Sequence, residues 1–326
     1  MNPNPLTDAP VVWAVFSTFR PGPGAVRAVS SVIDQVAGVV VVDDGSGEAA
    51  DEALAALVGL GALVHRETEN VGIAAALNDG IRIAREHGAA QVVTFDQDSE
   101  VPEGFVETLQ RAAAAAAADG VRVGVVVPER FAAVRQARGA ASASYTDAAN
   151  VIQSGMLIPA EVLDAVGELR ADFFIDLVDT EYELRLRREG FAVLAALGIR
   201  LGHALGTPYR REVFGRQVRL PGIPPEITLS TPFRYFYRVR NRIVLDREYL
   251  FAAPRQILCD TLFDGVHFVN ALWVARPRRA LWRLYRAAIT AALRGRMGRM
   301  PAPLVPVAAR IAWAAPVHEP AAEAQR

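Results

Sequence analysis

Asp96, Gln97, Asp98 and Ser99 lie between an apolar run, Val92-Val93-Thr94-Phe95, and Val101-Pro102. Two carboxylates two residues apart, just past a buried strand, repel each other unless a cation lies between them, and burying them unpaired is costly. A hard divalent metal suits such oxygens. The alternative is a strand-end turn in which Asp98 caps the next helix. Asp43-Asp44-Gly45-Ser46 closes a second apolar run. A carboxylate there can accept from a base N–H or a ribose hydroxyl, although turn and cap chemistry satisfies the same residues. Asn70 and Gly72 open a helix whose N-terminus suits an anion or a simple cap. Asn78 and Asp79 within that helix can face the same cleft. Asp179 follows Leu177-Val178, a placement that raises a carboxylate's pKa toward the range of a general base. Its alternatives are a helix cap, shared with Thr180, or an ion pair with Arg185 or Arg187. His203 follows an apolar strand. A lone histidine is usually structural, but beside an aspartate pair it becomes a third metal ligand.

These residues need elements to position them. Val11–Phe16, Val39–Val42, Ala62–His65 and Gln91–Phe95 read as buried strands. Helices follow over Gly24–Gln35, Ala49–Leu60, Ile73–Glu86 and Val106–Ala118. Strands that alternate with helices, each a continuous apolar run, predict a mostly parallel α/β sheet covered on both faces. Ligands bind beyond the carboxyl ends of such strands. Those ends carry Thr18, Asp43-Asp44, Asn70-Gly72 and Asp96-Gln97-Asp98. Further on, Val121–Val127 and Met156–Ile158 are strand-like and Phe131–Asp147 reads as a loop or lid. An Arg-rich helix follows Asp179 and ends at Gly190, and Val193–Leu197 and Ile199–Gly202 are strand-like again. A Pro-rich connector, 221–232, leads into helical segments at Phe233–Asp246 and Pro277–Gly298. The expected organisation is a catalytic domain over 1–220 and a helical, Arg-rich extension over 221–326.

Composition removes several chemistries. All 35 basic residues are arginine. Without lysine there is no Walker A loop, no Schiff-base lysine and no kinase-type lysine. Cys259 is the single cysteine, so an internal disulfide and a Cys-rich zinc site are excluded. The net charge of -1 argues against a nucleic-acid footprint. The polar, Pro-rich start does not resemble a signal peptide. No run is expected to span a membrane; the nearest, Pro301–Val317, is broken by prolines and Arg310. Charge is distributed unevenly: no acidic residue lies between Gly265 and His318, where there are nine arginines. In the segment 277–298, Leu281, Tyr285, Ala288, Ile289 and Ala292 share one helical face, and Arg279, Arg283, Arg286 and Arg294 the other. Such a helix either lies on an anionic membrane, with Trp282 near the boundary, or packs on the protein with its Arg face solvated.

Taken together, Val42-Asp43-Asp44-Gly45-Ser46, then Asn70-Val71-Gly72-Ile73-Ala74-Ala75-Ala76-Leu77-Asn78, then Asp96-Gln97-Asp98-Ser99, resemble glycosyltransferase family 2 with the GT-A fold. With Phe174-Ile175-Asp176 and Asp179-Thr180-Glu181-Tyr182 downstream, the chain is most similar to the bacterial rhamnosyltransferase branch. The resemblance covers roughly residues 11–210. It implies an inverting transfer from a nucleotide sugar with a divalent cation, Mg2+ or Mn2+. It places Thr18, Asp43 and Asp44 at the nucleotide, with Asn70 and Gly72, and Asp96 at the ribose or the metal. Asp98 binds the metal and His203 is a further ligand. Ser154, Gly155 and Asp176 lie on the acceptor side. Asp179 is the base; Val178 replaces the Glu usual before it. Gln97 and Ser99 mark the donor subclass. The expected donor is dTDP-L-rhamnose, and the acceptor a cell-surface polysaccharide or lipid-linked glycan precursor, at the cytoplasmic face of the membrane. UDP-galactofuranose is the alternative donor. A non-catalytic nucleotide-sugar-binding protein is a second class. A nucleotidyltransferase is a third, disfavoured because only Arg20 lies near the first strand.

Overall fold

The structure is a computed structural model and describes residues 10–140, 142–202, 207–210, 212–213, 216–217 and 226–314. His203 lies outside them. Contacts divide the chain into two compact units, Met1–Ala204 and Leu205–Arg326, so the division precedes the 220/221 boundary that composition suggested.

The first unit is an α/β sheet. Its strands are β1 (Val12–Thr18), β2 (Gly38–Asp43), β3 (Leu63–Arg66), β4 (Gln91–Asp96), β5 (Val123–Phe131), β6 (Val134–Arg135), β7 (Ala137–Arg138), β8 (Tyr145–Ala148), β9 (Met156–Pro159) and β10 (Ala192–Leu201). The helices are α1 (Pro23–Val32), α2 (Asp51–Gly59), α3 (Ile73–Glu86), α4 (Phe105–Ala118), α5 (Ala160–Val166) and α6 (Val178–Arg188). The spatial order is β3-β2-β1-β4-β9-β5-β10-β8-β7, with β6 beside β5. The β3-β2-β1-β4 half is parallel. β9 enters antiparallel between β4 and β5, and β10 runs parallel to β5.

The β-branched runs of β2 and β4 are buried on both faces, as strands covered by helices on each side must be. Phe16, Phe95 and Phe105 pack in series at 5.0 and 6.1 Å, tying β1, β4 and α4 together directly below the strand ends. Register then sets the site. Thr18 pairs with Asp43, and Ser17 with Asp96, so β2, β1 and β4 finish level at one edge of the sheet.

The segment 131–147 is not a loop or lid. It forms β8 and β7, which extend the sheet at its far side beyond β10, and β6, which pairs with β5. Strands of two to four residues are too short to show a period, so the sequence pattern missed them.

The second unit is built from α7 (Arg234–Tyr249), α8 (Pro254–Val274) and α9 (Arg278–Leu293). The sequence reading left α8 out. By length and composition α8 could cross a membrane, with a mean hydropathy of 1.3 and only 22% of its most apolar window buried. This corrects the expectation that no such run exists. Leu281, Leu284, Tyr285 and Ala288 of α9 are buried within the unit, whereas Ile289, on the same expected face, is 38% exposed.

Candidate active site

The loop after β2 is locked first. Asp43 is fully buried; its carboxylate accepts from the Ser46 hydroxyl and, at 3.2 Å, from the Ser46 backbone N–H. Arg66 approaches it at 3.9 Å. Thr18 is also buried and its hydroxyl donates to the Val42 carbonyl at 3.3 Å. Gly45 adopts φ +70, and a Cβ there would lie 2.3 Å from the Glu69 carbonyl carbon. Only glycine lets this turn cross the chain that leads into α3.

Asp44 links that turn to α3. Its carboxylate accepts from the backbone N–H of Val71 at 2.5 Å and of Gly72 at 3.1 Å. Burial pushes its pKa up, opposed by those two hydrogen bonds. The amides before α3 that suited an external anion are therefore engaged by the protein's own carboxylate. Asn78 does not face the cleft. It is buried and bonded in both directions to the backbone of Leu169, at 2.8 and 3.0 Å. Asp79 pairs with Arg82 at 2.6 Å.

Gly72 joins this region to the candidate base. It has φ +94, and a Cβ would come within 2.6 Å of the Phe174 carbonyl oxygen. The following segment is conformationally unusual: Phe174, Asp176 and Leu177 have φ of 66, 66 and 63. Non-glycine residues in the left-handed region cost energy and cluster where geometry serves a purpose. Leu177 caps α6 without a side-chain bond, so neither Asp179 nor Thr180 is the cap. Asp179 occupies the first turn, where its Oδ1 accepts from the Thr180 N–H at 2.8 Å. Arg185 and Arg187 are engaged elsewhere, by Glu181 at 2.9 Å and Glu183 at 3.3 Å. Freed of cap and ion-pair duties, Asp179 has a pKa raised to about 6. Burial is the largest cause, opposed by the Thr180 bond and reinforced by the charges of Asp176 and Asp96. Three carboxylates from two distant motifs thus share one electrostatic neighbourhood.

Asp96 is half-buried at the end of β4 and Asp98 is exposed. Gln153 Nε2 donates to Asp96 Oδ1 at 2.5 Å. Sequence reasoning assigns Gln153 no role, because a contact across 57 residues leaves no local pattern. Ser154 is fully buried. Its hydroxyl accepts from the Asp96 N–H at 3.0 Å and shares a 2.7 Å bond with the Ser99 hydroxyl. Gly155 sits at φ +80 beside Leu201 and donates its N–H to the Thr94 carbonyl at 2.7 Å. Ser154, Gly155 and Ser99 therefore fasten β9 to the Asp96–Ser99 turn. Of the expected acceptor-side residues, Asp176 alone has accessible surface. Gln97 Oε1 accepts from the Phe19 N–H at 2.9 Å, joining the turn to the loop after β1.

Among the described residues, no cluster of three or more His, Cys, Asp or Glu side chains is placed to hold a metal. Asp96 and Asp98 supply two hard oxygen donors. That number suits Mg2+ or Mn2+ when substrate phosphates complete the shell.

Residues 15–146 match the model described as glycosyl transferase family 2. The match ends before Ser154, Asp176 and Asp179. The chain is 29% identical over 266 residues to the dTDP-rhamnosyl transferase RfbF of Shigella flexneri, covering 73% of this chain and 80% of that protein. Among solved structures, GalNAc-T7 with UDP, GalNAc and Mn2+ superposes with a TM-score of 0.52 at 17% identity, over 77% of this chain. S. aureus TarS superposes with a TM-score of 0.53 at 14% identity, over 91% of this chain. The chain spans about half the length of those two structures, 51% and 50%. At such identity the likeness is one of fold, and the fold is GT-A.

Proposed function

We propose that this chain, whose residues 15–146 match the glycosyl transferase family 2 model, is a glycosyltransferase that moves L-rhamnose from dTDP-L-rhamnose to a hydroxyl of a cell-surface polysaccharide or lipid-linked glycan precursor, with inversion. The observation that carries the reading is Asp179: a carboxylate with its pKa lifted to about 6, in the field of Asp96 and Asp176. Such a group is ionised at neutral pH and still basic enough to accept a proton. The name of the Shigella flexneri relative supports the donor.

In the proposed reaction Asp179 takes the proton of the acceptor hydroxyl. The hydroxyl oxygen attacks the anomeric carbon from the face opposite the diphosphate, and the bond from that carbon to the diphosphate oxygen breaks. The transition state has oxocarbenium character, which neighbouring carboxylates stabilise. Asp176 borders the acceptor side. Ser154 and Gly155 act through position, because they hold the turn that carries Asp96. Thr18, Asp43 and Asp44 shape the nucleotide side, and Asp44 does so by fixing the Asn70–Gly72 segment. Asp96 serves the ribose side and, with Asp98 and His203, would hold a Mg2+ or Mn2+ ion. A divalent ion there would neutralise charge growing on the leaving diphosphate.

The proposed location is the inner face of a membrane, as a peripheral protein. Support comes from α8. Of its charged residues, Asp264 points into the unit, paired with Arg238 at 2.5 Å and Arg242 at 2.8 Å, Asp260 approaches Arg242 at 3.9 Å, and Arg255 near the start of the helix is exposed. Its apolar residues point out: Leu262, Phe263 and Val269 are 68%, 74% and 69% exposed. A patch of this kind marks a surface that meets an apolar phase. The arginines that follow α8 favour an anionic bilayer over a second, equally basic copy.

The deciding experiment is nucleoside diphosphate release with each donor. Turnover of dTDP-L-rhamnose that Asp179→Asn abolishes supports the reading. Turnover of UDP-galactofuranose instead replaces the donor, and binding without turnover of either points to a non-catalytic protein.

A further inference from the structure

The second unit contains an open cavity of about 660 Å3, all of whose lining residues lie in that unit. Its size is that of a small-molecule site, for which about 300–1,000 Å3 is usual. Six arginines line it: Arg240, Arg279, Arg283, Arg286, Arg296 and Arg299. Arg279, Arg283 and Arg286 come from the outward face of α9, at spacings of four and three residues, so their guanidinium groups are neighbours. Like charges so placed repel. No acidic residue exists between Gly265 and His318 to offset them. Among the described residues, Arg279, Arg283, Arg286 and Arg296 make no ion pair. Arg240 is fully buried and held in place. Its guanidinium donates to Asn241 Oδ1 at 2.9 Å and to the Gly298 carbonyl at 2.5 Å, and lies over the rings of Phe236 and Tyr237. Between the arginines the wall is apolar, with Phe236, Trp282, Met297 and Leu304.

We propose that this cavity binds a phosphate or diphosphate group carried on a hydrocarbon chain. A cluster of guanidinium donors suits a tetrahedral, multiply charged oxyanion, to which Arg279, Arg283 and Arg286 can each offer two parallel N–H groups. The apolar wall has no use for a bare anion and accommodates the chain attached to it. An anion in the cavity relieves the mutual repulsion of the arginines, so binding and unit stability are linked. Two sources carry this chemistry: a water-soluble prenyl diphosphate and the headgroup of a bilayer phospholipid.

The test uses the full-length chain without nucleotide sugar, so its outcome is independent of the donor assignment. Farnesyl diphosphate and inorganic pyrophosphate are titrated calorimetrically, and co-sedimentation is measured with phosphatidylcholine vesicles with and without phosphatidylglycerol. Farnesyl diphosphate is expected to bind tighter than pyrophosphate. Arg283→Gln with Arg286→Gln is expected to weaken it by about tenfold or more. Arg294→Gln with Arg310→Gln removes the same charge from exposed positions outside the cavity and is expected to change affinity by less than about twofold. A loss confined to farnesyl diphosphate identifies the soluble source, and a parallel loss of vesicle binding the lipid one; both support the site. Equal losses in the two double variants, no loss in the first, or no binding at all overturn it. Pyrophosphate binding as tightly as farnesyl diphosphate overturns the hydrocarbon part. Should a variant fail to fold, phenylglyoxal labelling of the unaltered protein decides. Farnesyl diphosphate must protect Arg279, Arg283 and Arg286 and leave Arg294 reactive.

Discussion

At the scale of single residues, one environment around Asp179 is expected to set both activity and stability. Its pKa of about 6 is raised mainly by burial. A base must be ionised, so kcat/KM for transfer is expected to rise with pH through about 6 and then level off. Asp179→Asn is expected to lower kcat by on the order of 10²–10⁴-fold while donor binding persists; unchanged transfer would remove Asp179 from the mechanism. The same shift has a stability consequence of opposite sign. The folded pKa lies above the ordinary value of 3.8. The protonated form is therefore favoured by folding, and that contribution is full below about pH 4 and lost as pH rises through about 6. At neutral pH the charged carboxylate is a net cost. Asp179→Asn is thus expected to be more stable than the parent, by on the order of 1–3 kcal/mol in urea unfolding at pH 7.5, with the difference shrinking toward pH 4.

At the scale of elements, the site is an outcome of strand ends held by backbone contacts that tolerate no side chain. Gly72 allows the segment before α3 to touch Phe174. Gly72→Ala meets both a left-handed φ of +94 and a 2.6 Å approach to a backbone oxygen. It is expected to destabilise the protein by about 3 kcal/mol or more in urea unfolding, with loss of transfer, because the displaced segment carries Asp176 and Asp179. In the second unit α8 is reversed relative to a water-facing helix, with its ion pairs inward and its leucines outward. Leu262→Ser with Val269→Ser is expected to leave the unfolding midpoint nearly unchanged, since exposed positions contribute within about 0.5 kcal/mol. Co-sedimentation with phosphatidylglycerol-containing vesicles should fall at least about tenfold, from the transfer cost of two apolar side chains. Full retention would show that the stripe is covered by something other than lipid, and a change in sedimentation coefficient would identify a second copy.

At the scale of the whole molecule, a net charge of -1 conceals two regions of different character. The carboxylates of the candidate site lie in the first unit, and the segment without acids lies in the second. If the basic segment contributes to membrane attachment, vesicle binding should weaken as salt rises from about 0.05 to 1 M, because the screening length falls to roughly 3 Å. The apolar contribution of α8 persists under the same conditions, so release is expected to be partial. Binding indifferent to salt would assign attachment to α8 alone.

The sequence by itself determined the alternation of strands and helices, the sheet edge where polar residues collect, and the identity of Asp179 as the base to consider. Those features rest on local periodicity and on residue types at short spacing, which a single chain displays directly. It also exposed the lack of lysine and the acid-free C-terminal segment. Tertiary structure decided what those residues do once assembled. Asp44 turned out to occupy the amides before α3, and Ser154 to be a buried fastener, because partners 27 and 58 residues away claimed them. Gln153 gained a role at Asp96 for the same reason. The strands within 131–147 needed a sheet edge before they had a period to show. The outward face of α8 became visible only when Arg238 and Arg242 drew Asp264 inward, since hydropathy reports how apolar a helix is and only packing decides which side meets the solvent.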